Sequence, residues 1–197
     1  MLQQQLLSIF NTTAIEVCEG QSMDTSFETR LDVTESEYLE MIRLKTAVLL
    51  AAALKIGALI GGATPQEADL LYAFGENLGI GFQIQDDILD TYGNEAVGKQ
   101  IGGDIVQNKK TLLLIKALQE ANQQQDTTLQ QILANETLAP NVKVEQVKDI
   151  YQQYKVLEYA ETLKHQHVQK AMQALKSINQ SHQVLAQIAD QLINRNY

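Results

Sequence analysis

The chain has 197 residues, 45% of them hydrophobic, and its 15 Lys and Arg against 24 Asp and Glu give a formal net charge of −9. This apolar content is enough for one sizeable core or two small ones. The acidic balance argues against a nucleic-acid partner, because a phosphate backbone requires a basic surface. The single cysteine excludes an internal disulfide framework and indicates a cytoplasmic location.

An all-α protein is predicted, because apolar residues recur at helical spacing and no segment alternates apolar and polar residues. The first helix is predicted over residues 2–21, with no signal peptide before it. We expect Cys18 to pack in the core, on an apolar helix face shared with Phe10, Ala14 and Val17.

A second helix is predicted over residues 35–60, where Thr34 and Glu37 form a capping box at its start. The segment 47–63 is apolar but shorter than the roughly 20 residues that a bilayer requires, and it contains Lys55. We therefore predict a helix buried in a bundle and no membrane span. Small side chains along this helix favour close packing against a neighbour: Ala47, Ala51, Ala52, Ala53 and Gly57.

The third helix is predicted to start at Thr64, because Pro65 suits the first helical position and Glu67 completes a capping box. It is expected to end near Thr91. The remaining predicted elements are a glycine-bearing loop at 93–103, a helix at 105–122, a short helix before Pro140 and two or three amphipathic helices to the end. We expect one helical domain over 1–197, with half of an active-site bundle at 1–122 and C-terminal helices at 129–197.

The most informative stretch is the end of the third helix, where Gln83, Asp86, Asp87 and Asp90 fall within an arc of about 100°. Gly79 lies on the same side, where it could admit a ligand to the backbone. Clustered carboxylates raise one another's pKa values and require either full solvation or a cation. Because the neighbouring residues are strongly apolar, the pattern favours Mg²⁺ shared with diphosphate over a solvated acidic patch.

Basic residues are expected to converge on the same phosphates. Lys45 and Thr46 begin the apolar half of the second helix, Lys99 lies in the glycine-bearing loop, and Lys109 follows that loop. A single lysine is typical of a solvated surface, but several around a carboxylate group indicate anion binding. The histidines, with no metal-ligand spacing, are expected to be solvated: His165, His167 and His182.

These motifs resemble the trans-isoprenyl diphosphate synthases, or polyprenyl synthases, over essentially the whole chain. Residues 81–90 are similar to the second aspartate-rich motif of that family. The other similar segments are the Gly-Gln-x-x-Asp segment at 19–24, the Lys45-Thr46 pair, a loop with Gly98-Lys99, Gly103-Asp104 and Lys109, and the ending at 192–195.

The resemblance implies an isoprenoid-synthase-type helical bundle that joins isopentenyl diphosphate to an allylic diphosphate. It implies that Asp86 is a Mg²⁺ ligand, that Asp87 and Asp90 hold the waters of the ion, and that the diphosphate pairs with Lys45, Lys99 and Lys109. Oxygen atoms for the allylic cation would come from Thr46 and Gln83. The cavity would be lined by Gln21 and Asp24 and closed by Arg195.

The chain departs from the family pattern in one respect, because its only Asp-Asp pair is Asp86-Asp87. The first aspartate-rich motif is absent, so the bundle is expected to be incomplete at the N-terminus and inactive alone. The resemblance also implies a homodimer. Three alternatives to a prenyl-transferring enzyme are a non-catalytic helical subunit that modulates a complete synthase, a terpene cyclase, and a plain helical bundle with an acidic face.

Overall fold

The computed structural model describes residues 2–93, 101–179 and 181–194. The all-α prediction is confirmed, since 81% of the described residues are helical and the described ranges contain no strand. The helices have these bounds: α1 Leu2–Phe27, α2 Glu35–Ile42, α3 Val48–Ile60, α4 Pro65–Tyr92, α5 Gly103–Val106, α6 Leu112–Gln123, α7 Thr128–Ala134, α8 Pro140–Gln153, α9 Val156–Lys176 and α10 Gln183–Ile193. A single π-helical turn, Arg43–Ala47, joins α2 to α3.

The helices group into two compact units, each assembled from segments that are distant in the sequence. Within the described residues, unit 1 comprises 2–25, 39–83, 163–179 and 181–194, and unit 2 comprises 26–38, 84–93 and 101–162. Helix α4 contributes its first 19 residues to unit 1 and the remainder to unit 2. The single domain expected over 1–197 stays a prediction.

Two helix starts are confirmed in atomic detail. At the start of α2, the Thr34 amide and hydroxyl donate to the Glu37 carboxylate at 2.9 and 2.8 Å, and the Glu37 amide donates back to the hydroxyl at 3.2 Å. Thr64 and Glu67 repeat this arrangement before α4 with distances of 2.9, 2.8 and 3.3 Å, and Pro65 is the first helical residue. Both capping boxes satisfy backbone groups that a helix end leaves unpaired.

The core of unit 1 lies between α4, α9 and α10. Its buried side chains are Phe74, Leu78, Ala171, Leu175, Ile178, Ala189 and Ile193. Helix α3 is buried on one side only, because Leu49 and Ile60 are 60% and 65% exposed. None of the described helices is long and apolar enough to cross a membrane.

Helix α1 differs from its prediction. It is longer, continuing to Phe27, and the expected apolar core face is largely exposed to solvent, with Phe10 at 62%. Cys18 is exposed as well, so the expectation that it packs in the core was wrong. The pattern of apolar residues was read correctly, but a sequence pattern does not reveal whether a partner covers that face.

The helix predicted at 105–122 is also divided. Its first part is the short helix α5, and a turn with Asn108 at a φ of 53° follows it. Thr111 then caps α6, its hydroxyl accepting the Leu114 amide at 3.3 Å. Because Asn tolerates the left-handed conformation and Thr is a good N-cap, both residues favour a break at this place.

Candidate functional site

Two predicted site residues, Lys45 and Thr46, lie in the π-helical turn between α2 and α3. The Val48 amide closes this turn by donating to the Arg43 carbonyl, five residues earlier. A π-helical turn inside an α-helix is rare and occurs frequently at functional sites. Sequence periodicity missed it, because it predicted one continuous helix across these positions.

The π turn is tied to neighbouring helices by ion pairs of its first residue. Arg43 pairs with Glu40 at 2.8 Å, Glu76 at 3.2 Å and Glu16 at 3.7 Å. Hydrogen bonding to Glu40, with a smaller contribution from Glu76, raises the pKa of Arg43 above its ordinary value. Arg43 therefore partly neutralises the charges of Glu16, Glu40 and Glu76.

Asp24 of α1 and Lys45 of the π turn form an ion pair. The Lys45 ammonium lies 2.6 Å from the Asp24 carboxylate, with side chains 36% and 23% exposed. The Thr46 hydroxyl donates a long 3.4 Å hydrogen bond to the amide oxygen of Gln83. Four predicted site residues are thus brought into two pairs within unit 1, whereas Gln21 lies exposed on α1.

Gly79 was expected to admit a ligand to the backbone of α4, and this expectation was wrong. It is buried against the π turn, where an added Cβ atom would lie 2.6 Å from the Cα atom of Ala47. The space beside Gly79 is therefore filled by the neighbouring backbone.

The carboxylates Asp86, Asp87 and Asp90 belong to unit 2, at the end of α4. Asp87 is only 3% exposed and accepts hydrogen bonds from the Tyr38 hydroxyl at 2.5 Å and the Leu112 amide at 3.3 Å. Burial, reinforced by the charge of Asp87, raises the pKa of Tyr38 well above its ordinary value. These contacts give Asp87 a structural role, and its predicted part in holding metal-bound water stays a prediction.

Asp90 is joined to the backbone of Asp104 within unit 2. The Asp104 amide donates to the Asp90 carboxylate at 2.9 Å, and the Asp104 carboxylate lies 3.2 Å from the Lys109 ammonium. Burial, with a contribution from the charge of Asp104, raises the pKa of Asp90. A nearby cation would stabilise the charged form of a half-buried carboxylate whose pKa is raised in this way.

Asp104 had been noted only as part of the downstream loop and not as a site residue. The signal that could have identified it is its position directly after Gly102 and Gly103, between the predicted lysines. Lys99 and Arg195 lie outside the described residues. Lys110 differs from Lys109 because it is 8% exposed, donates to the Asn108 carbonyl at 3.0 Å and has a pKa lowered by burial.

A divalent cation can be tested against these donors. No three or more His, Cys, Asp or Glu side chains among the described residues are grouped so that they alone could hold a metal ion. The side chains of Asp86, Asp90 and Asp104 offer oxygen atoms only. Such a donor set fits Mg²⁺, which retains several waters and is commonly shared with substrate phosphates.

Comparison with known proteins gives a consistent result. A family model described as polyprenyl synthetase matches residues 1–154. The short chain isoprenyl diphosphate synthase of Methanothermobacter thermautotrophicus is 39% identical over 197 residues, covering 98% of this chain and 60% of that protein.

Two solved structures show the same similarity. Geranylgeranyl pyrophosphate synthetase from Pyrococcus horikoshii Ot3 superimposes with a TM-score of 0.89 and 30% identity, covering 98% of this chain and 59% of that one. Polyprenyl synthase from Caulobacter crescentus CB15, complexed with calcium and isoprenyl diphosphate, gives a TM-score of 0.86 and 26% identity, with coverage of 98% and 60%. This chain thus spans about 60% of the length of these three proteins.

Proposed function

This chain belongs to the polyprenyl synthetase family, and we propose on that premise that it supplies part of a site that condenses isopentenyl diphosphate with an allylic diphosphate. The observation that carries the proposal is the group formed by Asp90, Asp104 and Lys109, in which acidic oxygens and an ammonium lie together. Oxygen ligands for Mg²⁺ beside a cation for phosphate are what a metal–diphosphate site requires.

In this proposal the residues of unit 2 hold the allylic diphosphate through Mg²⁺. Asp86 would be the direct ligand of the ion, Asp90 and Asp87 would hold its waters, and Lys99 and Lys109 would pair with phosphate oxygens. When bound, Mg²⁺ neutralises negative charge on the departing diphosphate. Support comes from Asp90, whose pKa is raised by burial, so that a bound cation would stabilise its charged form.

The residues of unit 1 act on charge and orientation. Lys45 adds a positive charge for the diphosphate, and Thr46 and Gln83 present oxygens to the allylic cation that forms as diphosphate leaves. Gln21 and Asp24 line the cavity. The double bond of isopentenyl diphosphate then forms the new carbon–carbon bond, and loss of a proton completes a five-carbon addition.

We further propose that this chain does not turn over substrate by itself, since Asp86-Asp87 is its only Asp-Asp pair. A homodimer is also proposed. It is supported by the apolar side chains that α1 exposes, among them Leu7 at 53%, Phe10 at 62% and Ile15 at 60%. A cytoplasmic location stays a prediction.

Calorimetric titration with inorganic pyrophosphate, with and without Mg²⁺, tests the proposed site. We expect binding that requires Mg²⁺ and that Asp86→Asn weakens strongly. Asp149→Asn, which changes an exposed acid on α8, is the matched control and is expected to bind like the original chain. Binding that ignores Mg²⁺, or that Asp86→Asn leaves intact, would overturn the assignment.

A second measurement tests the proposed lack of turnover. The chain is incubated with Mg²⁺, isopentenyl diphosphate and dimethylallyl diphosphate, and the products are extracted and quantified. We expect no elongated product. Turnover at a rate typical of complete enzymes, about 1 s⁻¹ or faster, would contradict the proposed incompleteness while supporting the family chemistry.

A further inference from the structure

The π turn Arg43–Ala47 lies between two glycines that belong to different helices. Gly20 of α1 faces it from one helix, and an added Cβ atom there would overlap the Lys45 backbone nitrogen and lie 2.8 Å from the Lys45 Cα atom. Gly79 of α4 faces it from the other, and its added Cβ atom would lie 2.6 Å from the Ala47 Cα atom. Real Cβ atoms essentially never approach a neighbour within 3.0 Å, so neither position has room for a side chain.

These are contacts between backbones, and they involve the two residues that bracket Thr46. Ala47 is fully buried and Leu44 is 6% exposed, so this part of the turn is enclosed by protein. A π turn is less favourable than the regular helix that the sequence would otherwise form. Close packing from two sides gives a physical reason for the turn to persist, because strained local geometry is kept only where the surroundings impose it.

Close glycine packing also occurs elsewhere in unit 1 and provides a comparison. Gly75, one turn before Gly79 on α4, has room for no side chain because Ala51 of α3 lies 2.8 Å from where its Cβ atom would be. That contact joins two regular α-helical segments. Gly57 of α3 has nothing within 4 Å of an added Cβ atom. Only some glycines are therefore required by packing, and Gly20 and Gly79 meet the turn that carries Lys45 and Thr46.

We propose that Gly20 and Gly79 are positioning residues that clamp the π turn and so set the directions of Lys45 and Thr46. The clamp keeps the Lys45 ammonium beside Asp24 and the Thr46 hydroxyl beside Gln83, the two pairs that the structure shows. The assignment of a clamp rests on geometry alone, whereas its consequence for ligand binding rests on the proposed function.

Hydrogen exchange tests the clamp without reference to function. Gly20→Ala and Gly79→Ala are compared with two other variants. In Gly75→Ala the added Cβ atom would also lie closer than 3.0 Å to a neighbour, 2.8 Å from the Cα atom of Ala51 on the regular part of α3, and in Gly57→Ala it would have no neighbour within 4 Å. We expect amide exchange in residues 43–48 to become at least about tenfold faster in Gly20→Ala and Gly79→Ala. In Gly75→Ala the faster exchange is expected near Ala51, with residues 43–48 close to the original rate.

A variant that adds no atom keeps the test possible if the alanine variants do not fold. Ala47→Gly removes the side chain that would lie 2.8 Å from an added Cβ atom at Gly79, so it loosens the clamp without any overlap. We expect it to fold and to speed exchange in residues 43–48. The clamp would be overturned if Ala47→Gly left the exchange rate of residues 43–48 unchanged. It would also be overturned if Gly79→Ala and Gly75→Ala changed that rate equally.

Titration with pyrophosphate and Mg²⁺ then tests the consequence, at a temperature where every variant is folded. We expect Gly20→Ala and Gly79→Ala to bind at least about tenfold more weakly, and Gly75→Ala to stay within about twofold even if its Tm falls equally. If all three variants bound pyrophosphate equally weakly, the effect would come from a general loss of stability, and the positioning role would be refuted. If the original chain binds no pyrophosphate, the proposed function fails while the exchange result still decides the clamp.

Discussion

The hydroxyl of Tyr38 donates a 2.5 Å hydrogen bond to the carboxylate of Asp87, and both side chains are almost completely buried. A charged carboxylate can remain in such a place only if hydrogen bonds compensate for the lost solvent. Tyr38 and the Leu112 amide provide that compensation. This acid of the aspartate-rich motif therefore links α4 to α2 and α6 inside unit 2.

Tyr38→Phe removes a hydrogen-bond donor to the buried Asp87 carboxylate. We expect the free energy of unfolding to fall by about 1.5–3 kcal/mol, as for hydrogen bonds to charged groups. Urea denaturation measures it. Tyr159→Phe is the control. The Tyr159 hydroxyl donates to Glu35, which is only partly buried, so its removal should lower stability less. An equal loss of stability in both variants would show that removing the hydrogen bond to the buried Asp87 costs no more than removing one to a partly exposed carboxylate.

Asp90→Asn keeps an oxygen that can accept the Asp104 amide but removes a charge that burial disfavours. Since burial raises the pKa of Asp90, its charge is less favourable in the folded chain than in the unfolded one. We therefore expect a small gain in the free energy of unfolding at pH 7, below about 1 kcal/mol because solvent screens the charge. The same variant is expected to bind pyrophosphate and Mg²⁺ more weakly.

Asp126→Asn is the opposite case and serves as the control for Asp90→Asn. The Asp126 carboxylate accepts the Thr128 hydroxyl at 2.6 Å, and that hydrogen bond lowers its pKa. Removing its charge should therefore lower stability. A loss of stability in both variants would show that the Asp90 charge is well compensated in the folded chain.

Lys143→Met removes a buried ammonium that donates to the Val106 carbonyl at 3.0 Å, at the end of α5. Methionine replaces the apolar stem but leaves that carbonyl without its donor, and we expect a loss of about 1–3 kcal/mol. Thermal and urea denaturation measure it. Because α5 begins at Gly103 and carries Asp104, pyrophosphate binding should weaken as well.

Lys148→Met, on the same helix α8, is the matched control. The Lys148 ammonium lies 5.3 Å from the centre of the Tyr92 ring, a contact that costs about 0.5–1 kcal/mol to lose at a partly exposed site. We expect near-normal pyrophosphate binding in this variant. Weakened pyrophosphate binding in Lys148→Met would show that any disturbance of α8 affects the site, without a specific contribution from Lys143.

His167 was expected to be solvated, but it is half-buried, and its Nδ1 atom lies 3.1 Å from the Asn77 side-chain oxygen. Burial, with a contribution from Lys170, lowers the pKa of His167 below its ordinary value of 6.5. The unfolded chain therefore binds the proton more readily than the folded one. Stability contributed by neutral His167 is present above about pH 6.5 and is lost as the pH falls through that value toward the lower folded pKa.

Denaturation between pH 8 and pH 5 measures this dependence. His167→Asn should lose much of the decrease in stability on the acid side, because it has no ring to protonate. His165→Asn, at an exposed position two residues away on α9, should retain it. A pH profile that His167→Asn leaves unchanged would assign the acid sensitivity to other groups.

Phe10→Gln reduces the apolar surface that α1 exposes, where Phe10 is 62% exposed. Contiguous apolar side chains on a surface favour association. We expect the original chain to self-associate with rising concentration and Phe10→Gln to do so less, as measured by size exclusion with light scattering. Val184→Gln, at a residue 67% exposed on α10, is the control. A clean monomer of the original chain at high concentration would contradict the proposed homodimer.

Local sequence signals predicted much of the fold correctly. The capping boxes at Thr34 and Thr64 join residues three positions apart, and such hydrogen bonds form wherever the chain turns into a helix. The carboxylates of α4 were recognised for the same reason, since helical spacing places them on neighbouring positions. What the periodicity missed is the π turn, because a single turn of different pitch hardly disturbs an apolar pattern.

The sequence alone determined that this chain is helical, where α2 and α4 begin, and which family its motifs resemble. Those features depend on residues a few positions apart, whose interactions are set by helix geometry. Tertiary structure decided that Cys18 is exposed, that Asp87 bonds Tyr38 across 49 positions, and that glycines enclose the π turn. These depend on which helices meet, and packing between distant segments selects that arrangement.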